Sequence, residues 1–407
     1  MTILIIGSRA DNLGDRAIIA SMTDQLIKAF PGCALIVESS HPDIVRSVLP
    51  EGVHVVPRLF DVTGVRYGHR MRFVPTIMAN WRAVGALLRT ALSAFRFALR
   101  PAETTNPTLQ AYRRAHVVVC AGGDFLCEAY GYGYLLRFFE FWMAKRLGKR
   151  LIIYSQTIGP FRRPLWPLVR ASLGGADLIL ARDARTAELL ARYGVREHVQ
   201  LTADCAVSLP VRETERVREV REREGIGSDT VLFAPLDRGF SGLGEGEYRS
   251  YLSLMARIVL RCRARGLHPF FLAASWNDQK AVRRLNEKLG FAVPWIDATA
   301  YDPGEIKAII GSVRALVSSR MHPVILGIGA GMPTLGFAHL FKMREFMALV
   351  GMEDFVLPMI PLDGDRALRA FDRLIDERDA LFRRVRERLP GLLAIGARNI
   401  EHFKRAV

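Results

Sequence analysis

Short apolar runs alternate with amphipathic segments of helical length along most of the chain. The runs of the first half are almost continuous in Val, Ile and Leu, which is typical of strands covered on both faces in a parallel sheet. Segments such as 15–30 and 135–147 separate them, so the pattern predicts repeated β–α–β units. The predicted strands are 3–7, 34–39, 53–56, 116–123, 150–156, 177–183, 230–236, 268–275, 293–297, 314–319 and 333–338.

One highly charged stretch, 210–229, interrupts this alternation; it starts with a proline and carries two glycines near its end. Such a change in composition is typical of a boundary between domains. We therefore predict an α/β fold of two Rossmann-like, doubly wound domains. The predicted parts are an N-terminal domain at 1–210, a linker at 211–228, a second domain at 229–388 that ends in a long helix at 363–388, and a C-terminal helix at 389–407 that packs back on the first domain.

The composition fits a folded chain that binds anions. Of the 407 residues half are hydrophobic, and 57 Lys and Arg against 41 Asp and Glu give a net charge of +16. An excess of this size favours nucleic acid, phosphorylated metabolites or an anionic membrane as partners. The five cysteines contain no C-x-x-C pair, which is typical of buried thiols in a reducing compartment. We find neither a signal peptide nor an apolar span and expect a soluble, cytoplasmic protein.

The segment from Arg66 to Arg100 contains seven arginines and no acidic residue. Arg82, Arg89 and Arg96 recur every seven residues, so they share one side of a helix beside apolar positions. Two interpretations stay open. The arginines either form the solvated face of a packed helix, or they bring that helix to an anionic membrane or a lipid-linked phosphate.

Residues 318–342 predict an anion site in the second domain. A strand ends at 318–319, and Arg320 and His322 then stand in the first turn of a helix, where unpaired backbone N–H groups favour an anion. Arg320 offers a planar donor fork for carboxylate or phosphate, and His322 can transfer a proton near neutral pH. Lys342 follows the next strand and returns to the same edge of the sheet. A lone histidine at this position is more often a helix cap, but three cationic groups at one edge favour a site.

Polar or small residues also follow strands of the first domain. Gly122 and Gly123 allow the backbone to approach a ligand, and Gln156 and Thr157 offer the neutral hydrogen bonds that a sugar requires. Tight turns account for any one of these loops equally well. A further loop, with Asn12, Gly14 and Asp15, leads from the first strand into an apolar helix. Asp15 either accepts a proton from a sugar hydroxyl or caps this helix, and capping is the more common role of such a residue.

Six blocks, at 12–18, 121–125, 154–161, 179–195, 201–204 and 318–342, together resemble the polysaccharide pyruvyl transferase family. They stand in the order in which the family has them and cover most of residues 1–350. The resemblance implies two Rossmann-like domains that face a cleft, a GT-B-like arrangement. It also implies transfer of pyruvate from phosphoenolpyruvate to a sugar as a ketal, during surface or exopolysaccharide biosynthesis.

Individual positions follow from the resemblance. Arg320, Met321 and His322 stand where the family has Arg-Leu-His, Lys342 stands at its downstream lysine, and Asn12, Gly14 and Asp15 stand at its N-x-G-D. Arg182, Asp183 and Asp204 also match. Ala121 and Asp124 depart from the family's glycine-rich loop, and this leaves the acceptor open. Arg238 corresponds to an arginine at a strand end in the family, although the residues around it differ.

The resemblance implies that phosphoenolpyruvate is bound by Arg320, His322, Lys342 and Arg238, with Asp15 as a further catalytic candidate. The implied saccharide site contains Asn12, Gly14, Asp15, Gly122, Gly123, Asp124, Gln156 and Thr157. The acceptor can be lipid-linked, which would place the enzyme peripherally on the inner membrane face. We expect no metal, no cofactor and no nucleic acid partner. The alternative function is a GT-B glycosyltransferase that uses a nucleotide sugar, since the two classes share the fold and a basic phosphate pocket.

Overall fold

A computed structural model describes residues 1–60, 81–338 and 342–407. Contacts divide the chain into two compact units. Unit 1 consists of Met1–Ala10, Ile18–Cys205 and Ile395–Val407, and unit 2 consists of Asp11–Ala17 and Ala206–Ala394. In the sequence, the short segment Asp11–Ala17 lies between two parts of unit 1, but its contacts assign it to unit 2.

Unit 1 is built on a parallel sheet with strand order β3-β2-β1-β4-β6-β7-β8, and β5 pairs with β6 beyond the end of β4. The order reverses between β1 and β4, which is the point where open α/β sheets bind ligands. The central strands β1, β4 and β6 are almost entirely buried, as their continuous apolar sequences predict, whereas the edge strands β3 and β8 are partly exposed. They are β1 (Thr2–Ser8), β2 (Ala34–Ser39), β3 (His54–Pro57), β4 (Val117–Cys120), β5 (Gly123–Leu126), β6 (Arg150–Ile158), β7 (Leu178–Ala181) and β8 (Val199–Leu201).

Helices cover this sheet, and side-chain caps fix where several of them begin. Asn106 and Asp183 each accept hydrogen bonds from backbone N–H groups of the following helix, as such residues commonly do. The described helices of the region are α1 (Leu13–Ala29), α2 (Pro42–Arg46), α3 (Trp81–Leu99), α4 (Pro107–Arg114), α5 (Gly133–Arg146), α6 (Trp166–Leu173) and α7 (Ala184–Arg192).

Unit 2 has a second parallel sheet, with strand order β11-β10-β9-β12-β13-β14, the order of a Rossmann fold. Its switch point lies between β9 and β12. The strands are β9 (Thr230–Ala234), β10 (His268–Ala273), β11 (Trp295–Asp297), β12 (Ala315–Ser318), β13 (Thr334–Ala338) and β14 (Val356–Pro358). The helices are α8 (Glu215–Glu224), α9 (Arg238–Ser241), α10 (Glu245–Ala264), α11 (Asp278–Leu289), α12 (Pro303–Gly311), α13 (Met321–Gly329), α14 (Lys342–Ala348), α15 (Gly364–Asp376) and α16 (Arg378–Ala406).

The predicted class of two doubly wound, Rossmann-like domains is confirmed, but several local expectations differ from the structure. Residues 211–228 are not a plain linker, because they contain α8 of unit 2, which buries Val217 and Val220. The helix expected at 363–388 is two helices, α15 and α16, and α16 continues through 389–407 to Ala406. The loop expected at 121–125 runs into strand β5. Within the described ranges, no helix is both long enough and apolar enough to cross a membrane.

Candidate functional site

The carboxyl edge of the unit 2 sheet carries a buried ion pair beside the switch point. Arg320 follows β12, and its Nε and Nη2 donate to Oδ2 and Oδ1 of Asp278 at 2.8 Å and 2.6 Å. Nη2 also donates to Oγ of Ser275 at 3.0 Å. Asp278 is fully buried, and the side chain of Arg320 is 17% exposed. This two-pronged contact fixes the plane of the guanidinium and neutralises its charge within the protein.

Asp278 ties together the loops that follow three strands. Besides Arg320 it accepts hydrogen bonds from the backbone N–H of Asp237, after β9, at 2.9 Å and from Oγ of Ser275, after β10, at 2.8 Å. Tyr251 adds a bridge between two of the loops, because its hydroxyl accepts from the backbone N–H of Leu236 and lies 2.8 Å from Ser319 Oγ. The loops at this edge are therefore held by buried polar contacts.

The N-x-G-D loop belongs to this edge. Asn12 forms an antiparallel bridge with Ser275, and the backbone N–H of Leu13 donates to Ala274 O at 2.8 Å. The sequence predicts this loop on the first domain, but these backbone contacts place it in unit 2. Asn12 Oδ1 accepts from the N–H of Asp15 at 3.0 Å, and Asn12 Nδ2 donates to Asp15 Oδ2 at 2.8 Å. Asn12 is thus the cap of α1, and Asp15 orients it.

Gly14 stands directly against His322. A Cβ built on Gly14 would lie 1.9 Å from Nδ1, 2.3 Å from Cγ and 2.4 Å from Cε1 of the imidazole. Real Cβ atoms do not approach other atoms so closely, so with the ring in this place only glycine fits at this point of α1. His322 is half-buried in the first turn of α13. The structure thus brings the Arg-x-His and N-x-G-D motifs into contact within one unit.

The other two cationic candidates have different surroundings. Lys342 is half-buried at the first position of α14, after β13, which lies next to β12 in the sheet. Arg238 is exposed in α9 and forms an ion pair with Glu245. The structure therefore supports a position at the strand edge for Lys342 and gives Arg238 a partner on the surface.

In unit 1, Gln156 and Thr157 are part of β6 rather than of a loop, and both are buried. Thr157 Oγ1 donates to Asp183 Oδ2 at 2.5 Å and accepts from Arg182 Nε at 2.8 Å. Arg182 also pairs with Asp204, with 2.5 Å between Nη1 and Oδ2. Burial alone would lower the pKa of Arg182, but Asp204, together with nearby Asp124 and Asp183, outweighs it and raises this pKa.

The glycines of unit 1 have packing partners of their own. A Cβ on Gly122 would lie 2.9 Å from Ser155 O, and Gly123, with a φ of +148°, has the Phe125 ring beside it. The space at these glycines is therefore filled by protein. Gln156 differs, because both polar atoms of its amide are buried without a partner in the described protein. Such an amide is costly unless a water or a ligand supplies hydrogen bonds.

A second buried ion cluster lies at the carboxyl ends of β1 to β3. Arg137 Nη1 contacts Glu38 Oε2 at 3.1 Å and Glu140 Oε2 at 2.6 Å, and all three side chains are buried. Glu38 also accepts from the backbone N–H groups of Gly7 and Leu59. Burial raises the pKa of Glu140 well above its usual range, and the neighbouring Glu38 raises it further although Arg137 opposes this.

The residues that organise the unit 2 site are not among those predicted from the sequence. Asp278, Ser275 and Asp237 were not candidates, although each follows a strand that the apolar pattern predicts. The signal that identifies Ser275 and Asp278 is the group of polar residues at 275, 277 and 278 just after β10, because it repeats the pattern used for Arg320 and His322.

Comparisons with solved structures agree with the fold described above. A search of solved structures finds a UDP-GlcNAc 2-epimerase from Neisseria meningitidis bound to UDP-GlcNAc, with 11% identity, 99% of each chain covered and a TM-score of 0.59. It also finds a glycosyltransferase from Rickettsia africae with 11% identity, covering 100% of this chain and 98% of that one, at a TM-score of 0.57. HepE of Anabaena, in complex with UDP and glucose, has 10% identity, 98% of each chain covered and a TM-score of 0.57. These similarities establish a GT-B-type fold.

The sequence comparisons address the family directly. Among curated proteins, no sequence matches this chain significantly. The sequence model of the polysaccharide pyruvyl transferases matches residues 12–340. This range includes the N-x-G-D loop, the ion pair of Arg320 and Asp278, the ion cluster around Arg137 and the Arg-x-His turn. The chain belongs to the polysaccharide pyruvyl transferase family.

Proposed function

We propose that this protein transfers pyruvate from phosphoenolpyruvate to a saccharide as a cyclic ketal, in the biosynthesis of a surface or exopolysaccharide. The observation that carries the proposal is the contact between His322 and Gly14 within a family match that spans 12–340. This contact joins the family's two most distant motifs in a single site, where an imidazole is held in one position.

The donor carries a phosphate and a carboxylate, so its site needs cationic groups and backbone N–H donors. Arg320 shares its charge with buried Asp278, and it therefore serves mainly to orient the loop that carries His322. Lys342 and the backbone N–H groups at the start of α13 supply the attraction for the anionic groups. Arg238, which pairs with Glu245, has the weaker case as a donor ligand.

In the proposed reaction, His322 protonates the methylene carbon of phosphoenolpyruvate, so that the adjacent carbon becomes electrophilic. A sugar hydroxyl adds to this carbon and loses its proton, with Asp15 as the candidate base. The carbon–oxygen bond to phosphate then breaks, and phosphate leaves with its electron pair. A second hydroxyl of the same sugar adds to the carbon and releases its proton, which closes the ketal. One proton thus ends in the new methyl group and the other goes to phosphate or solvent.

For the saccharide we propose two candidate surfaces, each described within its own unit: Asn12 and Gly14 beside Asp15 in unit 2, and the carboxyl edge of the sheet in unit 1. Gln156 is the strongest candidate there, because its buried amide lacks a protein partner in the described residues. Thr157 is already bonded to Asp183 and Arg182 and acts mainly by holding this edge rigid. Gly122, Gly123 and Asp124 complete the candidate surface.

We further propose that the acceptor is lipid-linked and that the enzyme works at the cytoplasmic face of a membrane. The seven arginines between Arg66 and Arg100, without an acidic residue, favour an anionic surface. Positions 66–80 of this segment lie outside the described residues, and the side chain of Arg82 is likewise not described.

The rival function is transfer of a sugar from a nucleotide donor. Two of the structural relatives hold UDP-GlcNAc or UDP with glucose, but their 10–11% identity supports a shared fold and no shared ligand. Isothermal titration calorimetry separates the two functions. We expect phosphoenolpyruvate to bind wild type, to bind Lys342→Ala much more weakly, and to bind a surface control, Lys288→Ala, normally. Tight binding of UDP together with no heat from phosphoenolpyruvate would favour the rival.

A further inference from the structure

Helix α3 presents large apolar side chains to solvent. Leu88, Leu92, Phe95 and Leu99 have exposed fractions of 64, 50, 42 and 45%. Their spacings of four, three and four residues place all of them on one side of the helix. Single exposed apolar side chains are common on protein surfaces, but four large ones in one stripe on one helix are not.

The exposed stripe is not the side by which α3 packs on unit 1. Ala94, Phe97 and Ala98 are buried in the core of the unit, and Leu87 and Ala91 pack partly against it. A helix that merely covers a core would have polar residues on its outer side. Here the outer side is apolar as well, so in the part of the chain that the structure describes α3 has a second apolar side besides the one that packs on the core of unit 1.

Helix α5 extends this surface. Trp142 is 38% exposed and stacks on Phe95, with 5.4 Å between the ring centroids and 12° between the ring planes. Leu135, also on α5, is exposed to the same fraction. We call these six exposed residues the α3–α5 face: Leu88, Leu92, Phe95, Leu99, Leu135 and Trp142.

The exposed charged residues that the structure describes on α3 and α5 are all basic. Arg89, Arg96 and Arg146 are exposed, and so is Arg100 immediately after α3. Helix α3 contains no acidic residue, and the one acidic residue of α5, Glu140, is fully buried. The α3–α5 face is therefore apolar and aromatic with a basic margin.

We infer that the α3–α5 face binds the surface of an anionic lipid bilayer, with α3 lying parallel to the membrane plane. Leucines and aromatic rings insert at the boundary between headgroups and acyl chains, while arginines contact anionic headgroups. A second copy of this chain fits the face less well, because it would bring the same arginines against each other. The inference rests on the membrane location in the proposed function and identifies the surface that would bind there, and it is independent of the donor and of the reaction.

The two contributions respond differently to salt. Attraction between exposed arginines and headgroups is screened over about 8 Å at physiological ionic strength, so it weakens as salt is added. Insertion of apolar side chains is not screened. Loss of the leucines should therefore reduce binding at every salt concentration, whereas loss of the arginines should act mainly at low salt.

Vesicle flotation with the full chain tests the inference, with phosphatidylcholine vesicles that either contain or lack phosphatidylglycerol. The test variant is Leu88→Gln/Leu92→Gln/Leu99→Gln. Its matched control replaces exposed leucines outside this face, two on α6 and α10 and one just after α14: Leu168→Gln/Leu260→Gln/Leu349→Gln. A charge variant is Arg89→Gln/Arg96→Gln. All of these positions are exposed, so circular dichroism should report a native fold.

We expect wild type and the control to float with the anionic vesicles, and the leucine variant to bind at least tenfold more weakly at low and high salt. The arginine variant should lose most of its binding at low salt and little at high salt. If wild type ignores anionic vesicles, or if the leucine variant binds them like the control, the inference is wrong. A dimer of wild type that the leucine variant dissociates, without vesicle binding, would instead assign the face to a second copy. None of these outcomes depends on catalytic activity, so failure here leaves the proposed reaction untouched.

Discussion

Replacement of Gly14 by alanine tests whether the fixed position of His322 matters for turnover. The new Cβ would lie 1.9 Å from Nδ1, and ordinary contacts of a Cβ begin at 3.4 Å, so the imidazole would have to move by about 1.5 Å. A misplacement of about 1 Å in a catalytic group can cost roughly 100-fold in rate. We therefore expect Gly14→Ala to lower the rate of phosphate release from phosphoenolpyruvate, in the presence of acceptor, by about 100-fold or more.

Gly246→Ala is the matched control. Gly246 is the second residue of its helix, as Gly14 is of α1, and a Cβ there meets no atom within 4 Å. Alanine favours helices over glycine by up to about 1 kcal/mol, so this control should leave activity unchanged and stability equal or slightly higher. In a His322→Ala background, Gly14→Ala should cost little further rate, because the ring with which it collides is gone. Nearly normal turnover of Gly14→Ala alone would refute the role of this contact.

Three further predictions concern the site and the buried clusters. His322→Ala and Lys342→Ala should each lower turnover by about 10²–10⁴-fold with the fold retained, as judged by steady-state phosphate release and circular dichroism; near-normal rates would remove either residue from the mechanism. Asp278→Asn should lower the free energy of unfolding in urea by about 3 kcal/mol, because Arg320 loses its buried counter-ion; an unchanged unfolding midpoint would contradict this pairing. Glu140→Gln should become more stable relative to wild type as the pH rises from about 4.5. The raised pKa of Glu140 means that the folded wild type binds this proton more tightly than the unfolded chain does, so wild type loses free energy of unfolding as the pH increases. A constant difference between the two urea curves from pH 5 to 8 would show that Glu140 is ionised in the folded protein.

Much of the fold can be predicted from the sequence because strands buried on both faces leave a strong apolar signal. The eleven predicted strands all have counterparts in the two sheets. The pattern fails where a short element has few apolar residues, as in β5, whose sequence GDFL follows two glycines and looks like a turn. It also fails at α8, where Val217 and Val220 are too few to mark a packed helix among charged neighbours.

The site is predictable only in part, because sequence position does not show which loops meet. Strand-edge logic identifies Arg320 and His322, but it cannot show that Gly14 has crossed to the unit of His322, since this depends on the backbone bridge between Asn12 and Ser275. Nor can it show that Asp278 occupies the donor fork of Arg320, because a carboxylate at a helix start is usually a simple cap.

The central claim is that phosphoenolpyruvate is the donor and that a saccharide receives its pyruvyl group. The most direct test is to incubate the purified protein with phosphoenolpyruvate and a panel of free and lipid-linked saccharides, and to measure released phosphate together with the mass of the product. We expect one phosphate for each pyruvyl ketal formed, with both dependent on the acceptor and both nearly abolished in His322→Ala. Sugar transfer from a UDP-sugar to the same acceptors, with phosphoenolpyruvate left intact, would contradict it.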